Sequence, residues 1–501
     1  MSKRLAICTY GNGFIILFLA AYLFLIPGAI VIHDLGDPGL RTGETPRFAF
    51  RRHHALSRRY EPWARERVAS GSATTLSTYN ISGTEWPMFG SVFYLWATEA
   101  LQEAWEEDPT LAPASPKEYA RGAIEAAAAL VADPDHATWV KQHWGEDYLE
   151  RENLFYRTLL ISGLTSYQKL VGDEMYEALL RDQVESLAAE LDASPHGLLD
   201  DYPGQCYPTD VLAAIAAIRR ADSVLGTDHT GFAERAVRGF EGDRIDSETG
   251  LPDWLASPET GQGVGGARGV GIAFMLVWAP ELWPETAQQW YESYEAHFWQ
   301  DKGLVAGFRE RPQGHAWGEW FIDVDAGPVM AGYGTAASAF GIAAARANGR
   351  FDHAYPLGAE AIVASWPLPN GTLLAPRVLS DLSDAPYVGE SALLFSLTRR
   401  PVVEADAGGR IPPIVYLGVL FYLGAGTLCI VPAVGRVVRW RKRGLPCDFP
   451  LPTAQLATWA VLILAGVIAV LLSNAVVGAA LLLTANLLPM RMGKSVHDRG
   501  G

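Results

Sequence analysis

Apolar residues are distributed along the chain in two ways: as three uninterrupted runs, and as stretches with helical spacing. Residues 13–32 and 411–435 are apolar over the roughly 20 positions that a bilayer core requires, and each predicts a membrane span. Residues 456–489 continue for 34 positions, too many for one crossing. Ser473 and Asn474 near their midpoint can turn a helical hairpin, so four spans are expected in all. Between these runs, Ala- and Leu-rich stretches with apolar residues three and four apart are punctuated by Pro or Gly, with almost no strand alternation, which predicts an all-α domain.

Six of these stretches run for about five apolar turns, from Pro87, Glu152, Pro208, Arg268, Pro328 and Pro386, at intervals of 65, 56, 60, 60 and 58 residues. Proline suits a first helical position, where its missing N–H is unpaired anyway. More amphipathic stretches alternate with them, near 116–132, 174–192, 229–240, 284–299 and 353–365, with 53–70 as a first outer helix. A helix apolar on most faces is buried all round, and one with a polar face meets water, so the alternation describes two concentric rings. The expected fold is an (α/α)6 barrel with flanking transmembrane helices, the alternative being an irregular helical domain. The corresponding boundaries are an N-terminal anchor at 1–33, an Arg-rich linker and first outer helix at 34–79, the barrel at 80–405 and a C-terminal membrane region at 406–501.

Charge separates the same parts. The net charge is −16; residues 1–33 and 411–501 together carry about +8, leaving about −24 on 34–410. A domain of that sign cannot neutralise phosphates, which excludes a nucleic-acid partner. Arg436, Arg439, Arg441, Lys442 and Arg443 follow the second span and belong in the cytoplasm, as do Arg491, Lys494 and Arg499 after the hairpin. The expectation is a multi-pass protein of the bacterial inner membrane with an extracytoplasmic middle domain. Arg41, Arg47, Arg51, Arg52, Arg58 and Arg59 after the first span pull the other way. That span lacks a small-residue cleavage site and reads as an uncleaved anchor. Only one of the four cysteines lies in the middle domain, which excludes a disulfide scaffold and a Cys-rich metal site. No HExxH spacing occurs, and neither a metal nor another cofactor is expected. The glycine run 261–271 has no strand before it to make a dinucleotide site and reads as a mobile loop over the barrel mouth.

Inner helices that point the same way gather the residues before their N-termini around one funnel. These are Tyr79, Glu85 and Trp86 for the first; Asp147 and Tyr148, with Tyr156 in the opening turn, for the second; and Asp200, Asp201, Tyr202 and Cys206 for the third. Arg268 opens the fourth, Asp323 and Asp325 precede the fifth, Asp384 and Tyr387 lie at the sixth, and Trp317 and Trp320 are nearby. Acids, phenols, a thiol and a guanidinium among aromatics make an acid/base site. Cys206 beside a helix N-terminus has its thiolate favoured unless carboxylates oppose it. Asp200 and Asp201, as adjacent like charges, leave one group protonated near neutrality. The plainer readings are a small packing residue for Cys206, a helix cap for Glu85, and caps of a helix at Pro328 for Asp323 and Asp325.

Four segments, 84–101, 150–176, 196–229 and 323–352, together resemble the bacterial linalool dehydratase-isomerase family, most specifically at Glu152-Asn153 and Gln205-Cys206. The similarity covers about 80–400 and none of the spans. It implies an (α/α)6 barrel and cofactor-free acid/base addition or removal of water, with allylic isomerisation, on an isoprenoid or other apolar alcohol. It places Cys206 on one of two catalytic cysteines of the family, Asp200 or its neighbour on the other, and Leu159 on a histidine. The expected catalytic set is Cys206, Asp200, Asp201, Glu85 and Asp325; Tyr79, Trp86, Tyr148, Tyr156, Tyr202, Arg268, Trp317, Trp320, Asp323 and Tyr387 line the substrate. The partners are then a small apolar alcohol and the membrane, with homo-oligomerisation left open. Two other functions fit the same residues: a glycan-active (α/α)6 enzyme using a pair such as Glu85 and Asp325, and an inactive tethered binding protein, whose converging residues would be salt-bridged to one another.

Overall fold

In the computed structural model, which describes residues 3–77, 80–315, 319–405, 408–443, 453–471 and 475–487, the six apolar stretches are helices. They span Ile81–Glu107, Leu154–Val171, Pro208–Leu225, Gly269–Leu282, Thr335–Ala347 and Val388–Thr398. Each packs on the next in chain order, and the last returns to the first. Outside them, Arg47–Ala69 packs on the sixth and first, Arg121–Val131 on the first and second, Glu177–Ala193 on the second and third, and Pro284–Phe298 on the fourth. The fourth ring helix is buried from Gly269 through Pro280, as expected of a helix apolar on every face.

Two helix starts differ from expectation. The first ring helix begins at Ile81, so Glu85, Trp86 and Pro87 lie inside it. Asn80 accepts the Gly83 N–H and starts the helix early. Pro87 has no N–H for the Gly83 carbonyl, and the Arg67 guanidinium donates to that carbonyl instead. The fifth begins at Thr335, because 320–334 forms a small antiparallel sheet of strands Trp320–Asp323, Gly327–Met330 and Tyr333–Gly334. Its tight turn is closed by Asp323, whose Oδ1 accepts the N–H groups of Asp325 (2.9 Å) and Ala326 (3.1 Å), and by Gly327 at φ +66°. Pro328 is tolerated in the middle strand because the third strand pairs only with Val329 and Met330. Two further hairpins pair Leu255–Ala256 with Gly263–Val264 and Trp299–Asp301 with Ala306–Phe308. The first contains part of the glycine run, which is therefore a hairpin and not an unstructured loop; the Gly266 N–H is held by Asp253 Oδ1 at 2.8 Å.

Aromatic rings fill the inside of the ring in layers. Phe89, Phe155, Phe274 and Phe340 come from four ring helices, with Phe89 5.7 Å from Phe155, 6.0 Å from Phe274 and 6.3 Å from Phe340. Below them lie Phe93, Trp96, Trp278 and Phe395. At the C-terminal end of the ring, Glu99 takes Lys169 (2.6 Å) and Arg220 (2.7 Å), while Arg220 also reaches Glu281 (3.1 Å). These charges close that end.

The chain divides into two compact units: Leu35–Ala361 with Ala375–Ile414, which contains the ring, and the residues up to Asp34 with Ile362–Leu374 and those from Val415 on. In the latter, Gly11–Leu35 and Pro413–Val431 are helices long and apolar enough to cross a membrane. Trp366 lies between them, its Nε1 donating to the Leu23 carbonyl at 2.6 Å and its ring 5.7 Å from Phe421. The described residues of the run 456–489 belong to two helices, Thr453–Leu471 and Ala475–Leu487, which pack closely where Gly466 meets Gly478. The expected turn at Ser473-Asn474 lies outside the described residues.

Candidate active site

The segment between the second and third ring helices is folded on itself by its own polar groups. Asp200 Oδ2 accepts the Gly204 N–H at 2.6 Å, with Gly204 at φ +78°, and Tyr202 and Gln205 bridge across the tight turn. Asp201 Oδ2 accepts the Tyr207 N–H at 2.9 Å. That turn swings the Tyr202 hydroxyl to Glu85 of the first ring helix, to which it donates at 2.6 Å. The segment before the third ring helix is joined in this way to the first ring helix across 117 residues of sequence.

Burial dominates the electrostatics. It pushes Glu85 up to about 7, with the Asp325 charge adding to the effect and the Tyr202 hydrogen bond opposing it. Asp201 and Asp210 form an interacting buried pair; burial and then each other's charge or that of Asp325 and Glu85 raise both above the ordinary carboxylate range. Asp201 Oδ1 is buried without a hydrogen-bond partner, as suits a carboxyl that keeps a proton. Asp325, on the hairpin turn, is raised by burial and by Asp323, and Asp200 by burial and by Glu152 beyond the help of Gly204. Among the described residues, no cation forms an ion pair with Glu85, Asp201, Asp210 or Asp325. The nearby guanidinium is already committed: Arg268 holds Glu310 at 2.7 Å and Asp323 at 3.2 Å and lies over the Trp254 ring at 4.2 Å. Asp323 is held below its usual value despite its burial, through backbone N–H groups and Arg268.

Cys206 is 1 % exposed and its backbone carbonyl accepts the Ala256 N–H at 3.0 Å. Burial, then Asp201, Asp200 and Asp210, push its thiol far above the ordinary cysteine value. The carboxylates thus override the helix N-terminus, and the thiolate is suppressed.

Glu85, Asp201, Asp210, Asp325, Tyr202 and Tyr207 therefore share one electrostatic neighbourhood, with Asp200 and Cys206 beside it. Tyr148 and Tyr156 stand behind it, 5.5 Å apart and edge-on, with Tyr156 against Trp139 and Trp139 6.1 Å from Tyr202. Tyr387 is not at the mouth: it packs on Tyr60 and Trp63 of the outer helix, with Arg377 over its ring at 3.8 Å. Trp320 faces outward and is 72 % exposed. Trp86 is half-buried on the first ring helix. Tyr79 and Trp317 lie outside the described residues.

No protein-family model and no curated protein matches this chain. The site must be read from its own geometry.

Asp210, Glu310 and the phenylalanine wall were absent from the sequence expectation. Asp210 lies in the first turn after Pro208, three residues past Tyr207, and a helix-opening acid there reads as a dipole cap. Glu310, fully buried beside Arg268 and pushed up to about 7, comes from a strand-rich loop that helical periodicity does not reveal. The wall was legible in principle: Glu85 and Phe89 are four apart on one helix face, as are Val270 and Phe274.

Proposed function

We propose that this chain is a membrane-anchored, cofactor-free lyase or isomerase of (α/α)6-barrel architecture, acting by acid/base chemistry on an isoprenoid or other apolar alcohol. The closed circuit of six helices with outer helices against it supports the barrel. One observation carries the chemistry: carboxyls raised toward or beyond neutrality, with no cation paired to them among the described residues, gather around Glu85, which stands one helical turn before Phe89 of the wall made with Phe155, Phe274 and Phe340. A glycan site needs amide and hydroxyl groups where this wall is aromatic hydrocarbon, which favours the alcohol. The resemblance to the linalool dehydratase-isomerase family points the same way.

In this reading protonated Glu85, oriented by Tyr202, gives its proton to the substrate hydroxyl as the C–O bond breaks and water leaves. The allylic cation left behind is stabilised by the carboxylates at the mouth and by the ring faces below. The Asp201–Asp210 pair, in the form that has lost one of its protons, removes a neighbouring C–H proton to give the diene and passes that proton to solvent, from which Glu85 is reprotonated; return of water at the other end of the allyl system gives the isomeric alcohol, its proton going back to Glu85. Cys206, kept as a thiol, supports the Asp201 loop from behind. Carboxylates tuned in this way serve as acid and base at neutral pH.

The placement is a multi-pass protein of the inner membrane with this domain outside the cytoplasm. Part of the opposing Arg flank has a structural use: Arg59 is ion-paired to Glu390 at 3.0 Å and Arg52 is buried, so neither marks a cytoplasmic face. The test is product analysis of the purified full chain with a panel of allylic isoprenoid alcohols and a panel of oligosaccharides. Dehydrated or isomerised alcohols, lost in Glu85→Gln, are expected. Cleaved oligosaccharides with untouched alcohols would replace the reading by the glycan one.

A further inference from the structure

The hairpin that brings Asp325 to the mouth has one face that the protein leaves bare. Trp320 is 72 %, Ile322 84 %, Val324 54 % and Met330 54 % exposed. Trp320 pairs with Met330 and Ile322 with Pro328, so these side chains share one side of the sheet, while Val329, two per cent exposed, points to the other. The only charged residues of the hairpin, Asp323 and Asp325, are used elsewhere: Asp323 by the turn and by Arg268, Asp325 by the acid cluster. The outward face of the two strands is apolar, with Asp325 exposed at the turn beside it. Two further exposed leucines, Leu379 (68 %) and Leu382 (81 %), lie on the helix Leu374–Leu382 that leads into the sixth ring helix. The hairpin leads into the fifth, and fifth and sixth pack side by side with their N-termini at the mouth.

We propose that the rim of the mouth, with the Trp320–Met330 hairpin as its leading element, inserts into the interfacial layer of a bilayer, so that an apolar substrate passes from lipid to the funnel past Asp325. The substrate part of this statement rests on the function proposed above; the lipid contact does not. Three observations select lipid over another protein. The chain carries two helices able to cross a membrane, which keep the domain at a high effective concentration next to lipid. Trp with long aliphatic side chains is the composition of membrane-interface elements, where an amphipathic ring settles at the headgroup level. The bare face carries no charged side chain to give a protein partner register or orientation. The hairpin joins lipid and chemistry within a few residues: Ile322 and Val324 reach outward while Asp323 and Asp325, alternating with them, hold Arg268 and act on Asp210.

The experiment attaches an environment-sensitive fluorophore to Ile322→Cys and, separately, to Val324→Cys in the full chain reconstituted in phosphatidylcholine vesicles. Glu292→Cys on the outer helix Pro284–Phe298 is the control, and labelling of the unsubstituted chain is the background. Blue-shifted emission from 322 and 324, quenched by lipids carrying a shallow nitroxide and unchanged at 292, is the expected result. Emission from 322 and 324 as water-exposed and unquenched as from 292 would overturn the proposal. So would energy transfer between labels on different chains without lipid quenching, which would assign the face to a second copy. Quenching needs no substrate, so loss of lipid contact and loss of the acid/base reading are separately visible.

Discussion

Replacing Glu85 by Gln removes a titration while keeping size and an acceptor for the Tyr202 hydroxyl. In the native protein this carboxyl stands near 7 against an ordinary 4.5. That gap corresponds to about 3 kcal/mol at about 1.36 kcal/mol per pH unit, reduced to about 1–2 kcal/mol because the carboxyl is half-buried and partly screened. The sign follows from which state holds the proton more tightly. The folded protein does, so this stability is fully present below pH 4.5 and is lost as pH rises to about 7. Glu85→Gln is neutral throughout and loses nothing in that window. Its removal also relieves Asp210, whose raised value owes part to the Glu85 charge, and the two effects add. The assay is unfolding of the full chain in detergent, native and variant, at pH 5 and pH 8. The variant should gain about 1–2 kcal/mol on the native protein between the two. Parallel pH profiles would refute the burial argument and with it the choice of Glu85 as acid.

Tyr202→Phe should raise the Glu85 titration further, since the lost hydrogen bond favoured the ionised form; infrared difference titration of the carboxyl band checks it, and a fall would contradict the geometry. Arg67→Met should cost about 1–3 kcal/mol by stranding the Gly83 carbonyl, and Pro87→Ala in that background should recover part of it by restoring an N–H; denaturant unfolding of both variants measures this. Glu99→Gln at the closed end should cost about 3–5 kcal/mol in the same assay, because it leaves Lys169 and Arg220 without their shared partner. Burial penalises the charged form of Glu99, but Arg220 and Lys169 outweigh it and lower the carboxyl to about 2, so that contribution should fade as pH falls from 4.5 toward 2. Cys206 should resist alkylation in the folded chain at pH 8, and rapid labelling would show the thiol to be more acidic and more open than its surroundings allow.

The helical plan was legible because the ring helices are apolar on so many faces that nothing but burial on all sides accommodates them. The starts of the second, third, fourth and sixth fall within two residues of expectation, at Leu154, Pro208, Gly269 and Val388. The first and fifth differ for one reason: proline marks a helix start only where tertiary contacts have not made room for it elsewhere. Pro87 is tolerated inside a helix by a guanidinium from residue 67, and Pro328 pairs with Ile322 on one side but sits where the third strand does not reach. The mouth was legible where side chains come from loops before helices, as with Asp201, Tyr202 and Asp325. Asp210 was hidden because the same residue in the same turn serves as a common helix cap, and only the approach of Glu85 and Asp325 distinguishes the two. Tyr387 misled in the opposite sense, since a backbone φ of +77° turns it away from the mouth and into the aromatic layer of Tyr60 and Trp63.

The most direct test of the acid/base account is oxygen exchange. The full chain in lipid vesicles would be incubated with allylic isoprenoid alcohols in water enriched in oxygen-18, and the recovered alcohols examined by mass spectrometry. Reversible loss and return of water exchanges the hydroxyl oxygen even when no net product accumulates. The expected result is label in the recovered alcohol, abolished in Glu85→Gln and retained in Cys206→Ala. Label that survives Glu85→Gln, or its complete absence with every alcohol at pH 7, would contradict the claim that these carboxyls are the catalytic acid and base.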